Sequence, residues 1–216
     1  MSRFSRRSLL GLGSMLPLGV SLSAEEAMPK RSWPSPAEGA AMARDRYRKL
    51  HFPNVALLTH EGKEVHFYDD LIKGKIVTLN FMFTSCGELC PLTTARLVKL
   101  QKLLGDRVGR QVFMYSLTID PEHDTPEVLR EYMRTHGVKP GWTFLTGKPE
   151  NLELLRRKLG FVDPDPKIDK DKSNHIGTIE YGNEPLTLWN GCPSLVRPEF
   201  MLKTIAWVAQ LKDFNP

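Results

Sequence analysis

Lys75-Ile76-Val77-Thr78-Leu79-Asn80-Phe81-Met82-Phe83-Thr84-Ser85-Cys86-Gly87-Glu88-Leu89-Cys90-Pro91 is the segment whose reading decides the fold. Its first nine residues are almost continuously apolar, rich in β-branched and aromatic side chains, as in a strand buried on both faces. Pro91 suits the first turn of a helix, where its missing N–H removes no bond. Cys86 and Cys90 therefore fall where a strand runs into a helix. Four-residue spacing on a helix puts two side chains on one face, with Cβ atoms roughly 5–6 Å apart, so both sulfurs reach one metal ion or each other. The positive end of a helix dipole favours thiolate over thiol, and thiolates bind soft metals and exchange disulfides. Spacing alone also fits a structural disulfide or half of a zinc site.

Upstream, Val55 to Leu58 and Val65 to Tyr68 flank His60-Glu61-Gly62-Lys63, a hairpin signal with glycine in the turn. Downstream, Leu97, Leu100 and Leu104 recur at helical spacing, and Gly105 closes that segment. Val112 to Ile119 reads as a second buried strand. Thr125 and Pro126 take the N-cap and first-turn positions of a helix that runs to His136 and stops at Gly137. Trp142 to Leu145 is a third strand, and Asn151 to Leu159 a helix with Leu152, Leu155 and Leu159 on one face. A polar loop, Asp163 through Asn174, is expected to be mobile. His175 to Tyr181 and Pro185 to Trp189 form a second hairpin around Gly182-Asn183-Glu184, and a last helix spans about Arg197 to Leu211. Alternating strands and helices between two hairpins predict a thioredoxin-like α/β fold, a central mixed sheet flanked by helices.

The chain opens with Ser5-Arg6-Arg7-Ser8-Leu9-Leu10, an apolar run to Val20 and small residues to Ala24. That order reads as a cleavable export signal over 1–24, its paired arginines pointing to the twin-arginine route, with an ordinary secretory signal or a retained anchor as the alternatives. The apolar run is well under the ~20 residues of a membrane span. Residues 25–51, rich in Pro, Ala, Ser and charge, are expected to be an extended linker, and 52–213 the folded domain. The net charge of +5 includes Arg3, Arg6 and Arg7; without them 27 bases face 25 acids, scattered and not striped. Nothing in that balance calls for a nucleic-acid partner. About 190 remaining residues bury a core without staples. Three cysteines, an odd number for an oxidising compartment, favour working thiols over structural bridges.

Phe83-Thr84-Ser85-Cys86-Gly87-Glu88-Leu89-Cys90-Pro91, Leu117-Thr118-Ile119-Asp120-Pro121-Glu122-His123-Asp124-Thr125-Pro126-Glu127, Phe144-Leu145-Thr146-Gly147 and Asn174-His175 together resemble the Sco/SenC family. That resemblance implies a thioredoxin fold, one copper, Cu(I) or Cu(II), per domain held by Cys86, Cys90 and His175, and a role in assembling cytochrome c oxidase. Its partner would be the copper-accepting subunit of a respiratory oxidase or another copper carrier. Soft thiolates and an imidazole suit Cu(I), whereas a structural zinc wants a fourth ligand that the sequence does not offer. The chain departs from the family pattern in Gly87-Glu88, where Pro and an acid are usual, in Asn174, where Asp is common, and in the polar, glycine-containing run from Ile176 to Tyr181.

Two functions follow. In the first, the exported, periplasmic protein is a copper metallochaperone with no membrane anchor after cleavage. In the second, Cys86 and Cys90 are the redox pair of a thiol-disulfide oxidoreductase; a peroxide-scavenging thiol enzyme is a distant third. His123 reads as a solvent-facing loop residue, and Asp120 and Asp124 as turn-forming and capping groups that shape the loop facing the cysteines. Cys192 is expected after the last hairpin as a bystander thiol, Met82 as core filling, and His51, His60, His66 and His136 as surface residues.

Overall fold

The computed structural model describes residues 33–87, 89–171 and 177–210. Chain contacts separate Met1–Ser35 from Pro36–Pro216, and every element below belongs to the second unit; the expected leader, 1–24, lies outside the described residues. The elements are α1 (Pro36–His51), β1 (Ala56–Thr59), β2 (Glu64–His66), β3 (Ile76–Met82), α2 (Leu89–Leu104), β4 (Val112–Thr118), α3 (Pro126–Thr135), β5 (Trp142–Thr146), α4 (Pro149–Lys158), α5 (Pro166–Asp169), β6 (Thr178–Asn183), β7 (Leu188–Pro193) and α6 (Pro198–Ala209). Among the described residues no helix is long and apolar enough to cross a membrane.

The strands form one mixed sheet in the order β2-β1-β5-β4-β3-β6-β7. β3, β4 and β5 run parallel at its centre, and the hairpins β1–β2 and β6–β7 add antiparallel margins. This is the expected thioredoxin-like arrangement. The pattern that predicted β3 explains its position: alternate residues pack into opposite cores. Val77, Leu79 and Phe81 join Phe52, Leu152 and Leu155 on one face, while Met82 joins Leu97, Leu100, Met114 and Ile205 on the other. On that second face the polar residues bond to one another, Ser116 Oγ donating to Asn80 Oδ1 at 2.7 Å and accepting from Trp142 Nε1 at 2.9 Å. Parallel pairing places the ends of β3 and β4, Met82 and Thr118, level at one edge of the sheet. Loops that leave that edge carry the site.

Local signals behave as their chemistry requires. Gly62 takes a left-handed φ of 81° in the first hairpin, a conformation that costs glycine little. Thr125 Oγ1 caps α3 by accepting from Val128 N at 3.4 Å, and Gly137, at φ 68°, follows the end of that helix.

Three expectations change. The stretch 25–51 is not an extended linker throughout, because α1 occupies Pro36–His51; residues 25–32 lie outside the described residues. Between Pro36 and His51 there is no further proline, alanine is the commonest residue, and Arg48 and Lys49 pair with Asp45 at 2.9 and 2.7 Å one turn back, all of which favour a helix. The second strand of the last hairpin begins at Leu188, not Pro185, because Glu184–Leu186 form a tight turn capped by Asn183. Cys192 consequently lies inside β7, opposite Ile179 and buried.

The described part of the polar loop is pinned. Arg156 on α4 grips both carboxylate oxygens of Asp169 on α5, at 2.6 and 2.7 Å, and also holds Glu153 and the Phe161 carbonyl. Residues 172–174 lie outside the described residues. The hydrogen bonds from Arg156 hold the Asp169 carboxyl far below the usual carboxylate range. A depressed carboxylate stabilises the fold fully above its unfolded pKa of about 4, and that contribution drains away as pH falls further. Asp169→Asn is therefore expected to unfold at lower urea than wild type at about pH 7, with the gap narrowing below about pH 4. A gap independent of pH would show that the charge does not act.

Candidate metal centre

A turn after β3 and the start of α2 bring Cys86 and Cys90 together. Past β3 the chain reverses, Cys86 N donating to Phe83 O at 3.3 Å, and α2 begins at Leu89. Cys90 N then donates to Cys86 Sγ at 3.4 Å, so one of the N–H groups left without an intrahelical partner at a helix start ends on sulfur. Pro91 sits in the first turn as expected. Cys86 is half-buried and Cys90 is 2% exposed among Met82, Leu97 and Met201. No disulfide joins the described cysteines.

The expectation that the helix end favours thiolate at both positions fails for Cys90. Burial pushes its thiol up to about 12; a hydrogen bond with the Phe83 backbone pulls it down, while Cys86 and Asp124 add to the rise. Desolvation outweighs the dipole because Cys90 faces the core, not solvent. Tyr132 stands close by on α3. Its hydroxyl bonds Thr94 Oγ1 at 2.9 Å, and burial, with the cysteines and Asp124 adding, raises it to about 12.

Asp124 holds the cysteine turn from below. Fully buried, its carboxylate accepts from the Thr84 N–H at 3.1 Å and from the hydroxyls of Thr84 and Thr118. Thr84 follows β3 and Thr118 ends β4, so one side chain ties both strand ends to the loop before α3. That is more than the turn and capping role read from sequence, since Thr125, not Asp124, caps α3. Asp120 keeps the turn-forming role, its carbonyl accepting from His123 N and Asp124 N at 3.1 and 2.8 Å. His123 is 56% exposed as expected, with Nδ1 3.3 Å from Thr84 Oγ1 and 3.1 Å from Asp124 Oδ1.

The other candidates disperse. Met82 is buried in the core. Cys192 Sγ lies 3.2 Å from the Tyr181 hydroxyl in β6. His51, His60 and His136 are half-buried and not surface groups: the His51 ring lies 4.4 Å from that of Tyr47, His60 Nδ1 accepts from Phe144 N at 3.3 Å, and the His136 ring packs against Tyr132 at 4.2 Å, tilted by 40°. His175 lies outside the described residues, and among the described residues no three His, Cys, Asp or Glu side chains gather into a metal site. Thr84 and Thr118 stand within the family-like stretches, but sequence reasoning missed their role, which shows only when the sheet brings their hydroxyls to Asp124.

Comparison with known proteins gives one picture. The sequence model of the family described as SCO1/SenC matches residues 44–179. A protein of Stutzerimonas stutzeri, named for copper binding, is 31% identical over 152 residues, covering 64% of this chain and 73% of its own. The SCO1 protein homolog of Bacillus subtilis is 30% identical over 133 residues, 51% of this chain and 67% of that one. Arabidopsis thaliana ScoI, solved with copper bound, shares the fold at a TM-score of 0.58 and 21% identity, over 75% of this chain and 99% of that one.

Asp124→Asn keeps the shape but turns one acceptor oxygen into a donor facing the Thr84 N–H. We expect a loss of about 1–3 kcal/mol in urea unfolding and faster alkylation of Cys86 in the folded protein. Unchanged values for both would show that the carboxylate does not hold the turn.

Proposed function

The chain belongs to the SCO1/SenC family, and from that premise we propose that it is an extracytoplasmic copper-binding protein. It delivers copper to, or maintains the thiols of, the copper site of a respiratory cytochrome oxidase. The observation that carries the reading is the pairing of Cys86, in the turn that follows β3, with Cys90, in the first turn of α2, whose N–H donates to Cys86 Sγ at 3.4 Å. Two soft sulfurs, one half-open to solvent and one buried, fit a soft cation that must both enter and leave. Copper is cargo in this account. The buried Cys90 stays protonated until the cation displaces its proton, since a metal-bound thiol is a thiolate.

His175 supplies the third ligand. Support comes from the strand that follows it in sequence, since β6 runs antiparallel to β3, the strand that leads to the cysteines, with Glu180 opposite Leu79. Gly177 meanwhile lies against Leu89, the residue before Cys90, and two residues of chain span at most about 7 Å. A sulfur pair with one imidazole is a low-coordinate set suited to taking up and surrendering copper. The leader read in residues 1–24 supports an extracytoplasmic location.

Unequal exposure of the two thiols also favours a second reading, a thiol-disulfide oxidoreductase in which Cys86 attacks a substrate disulfide and Cys90 resolves the mixed intermediate. Metallation needs reduced cysteines, so both activities fit one cycle.

Titration of the reduced protein under anaerobic conditions separates the two. Close to one copper ion per chain is expected, and Cys86→Ser, Cys90→Ser and His175→Ala are each expected to lose at least about 10-fold in affinity against a competing chelator. Copper binding untouched in His175→Ala, with disulfide reduction intact, would favour the oxidoreductase.

A further inference from the structure

Gly177 stands at a crowded point, where a side chain would have to displace a neighbour. A Cβ there would come within 2.9 Å of Leu89 Cδ2 and 3.1 Å of Ser194 Oγ. Its φ lies outside the left-handed range, so the demand for glycine is one of space and not of backbone conformation. The crowding belongs to a seam where three segments meet. Ser194, just past β7, donates its N–H to the Gly177 carbonyl at 2.7 Å. The Ser194 hydroxyl accepts from Thr93 Oγ1 at 2.9 Å, with both side chains buried. Thr93 lies one turn along α2 from Leu89, and between them stands Cys90. The approach to β6 is thus seated on the very helical turn that bears the buried cysteine.

We propose that Gly177 is a positioning residue of the copper site. Its missing Cβ lets the approach to β6 close against Leu89, and the Thr93–Ser194 hydroxyl pair locks that closure, so the turn carrying Cys90 keeps a fixed place relative to the strand. The proposal rests on the copper reading above. A methyl group at 177 displaces either the Leu89 side chain, directly beside Cys90, or the Ser194 hydroxyl. Metal sites lose affinity when the groups that orient their ligands are disturbed, typically by about 10–100-fold.

Wild type, Gly177→Ala, Thr93→Val and Thr93→Ser are compared as full-length reduced proteins. The readouts are chelator competition, the thiolate-to-copper absorption band after copper(II) loading, and urea unfolding without metal. Gly177→Ala is expected to bind copper about 10-fold more weakly and to shift the band. Its metal-free unfolding midpoint is expected to stay near wild type, because the atoms it crowds are the ends of flexible side chains and not backbone. Thr93→Val, which breaks the hydroxyl pair, should move affinity and band in the same direction; Thr93→Ser, which keeps the hydroxyl, should restore both. Wild-type affinity and an unshifted band in Gly177→Ala would overturn the positioning role and leave the copper reading intact. Failure of wild type to take up copper would overturn the copper reading, and this proposal with it. Should Gly177→Ala not fold, the Thr93→Val and Thr93→Ser pair decides: indistinguishable copper binding in the two would overturn the proposal.

Discussion

A single buried carboxylate organises the working edge of this molecule. Asp124 accepts from Thr84 after β3 and from Thr118 at the end of β4, and those strands are parallel neighbours in register from Ile76 opposite Val112 to Met82 opposite Thr118. A carboxylate removed from water is tolerated only where its acceptor positions are filled. Here the filling groups belong to the loops that must be held. The solvation requirement of Asp124 and the fixed placement of the cysteine turn are therefore one constraint, and Cys86, Cys90 and α2 follow from it.

The parallel centre of the fold was legible because its signal is short-range. Continuous apolar runs at Lys75 to Phe83 and Val112 to Ile119 leave few alternatives to strands buried on both faces, and Thr125-Pro126 announces α3 by the chemistry of its cap. The two margins were harder. Helix α1 lies in a stretch whose prolines and charges suggested an extended tether, although its alanines and (i, i+3) and (i, i+4) ion pairs sustain a helix with no buried residue. Helix α5, four residues long, depends on an arginine ten positions upstream on another helix, a tertiary partner that no local pattern reveals.

The same division runs through the site. Pro91 marked the start of α2, a matter of local geometry, but the cysteines do not share a helical turn as their spacing suggested: Cys90 lies on α2 and Cys86 in the turn before it. The protonation of Cys90 was not legible, because its burial is completed by Met201 of α6, more than a hundred residues away. Asp124 showed in sequence as a turn residue, and its buried role emerged only with the two threonines supplied by separate strands. Gly177 interrupts an otherwise β-forming run, and its reason lies in Leu89 and Ser194, which the chain brings together from both sides.

The resulting picture is of a rigid edge with an asymmetric sulfur pair: one thiol half-open, one sheltered and held protonated, both on a turn fixed from beneath by Asp124. Such a pair is what the proposed uptake and release of a soft cation requires. X-ray absorption of the copper(I)-loaded protein tests this most directly. The account predicts a nearest coordination shell of two sulfur atoms with one imidazole nitrogen, the sulfur contribution falling to one in Cys90→Ser. A shell of nitrogen and oxygen alone, or one unchanged in Cys90→Ser, would contradict it.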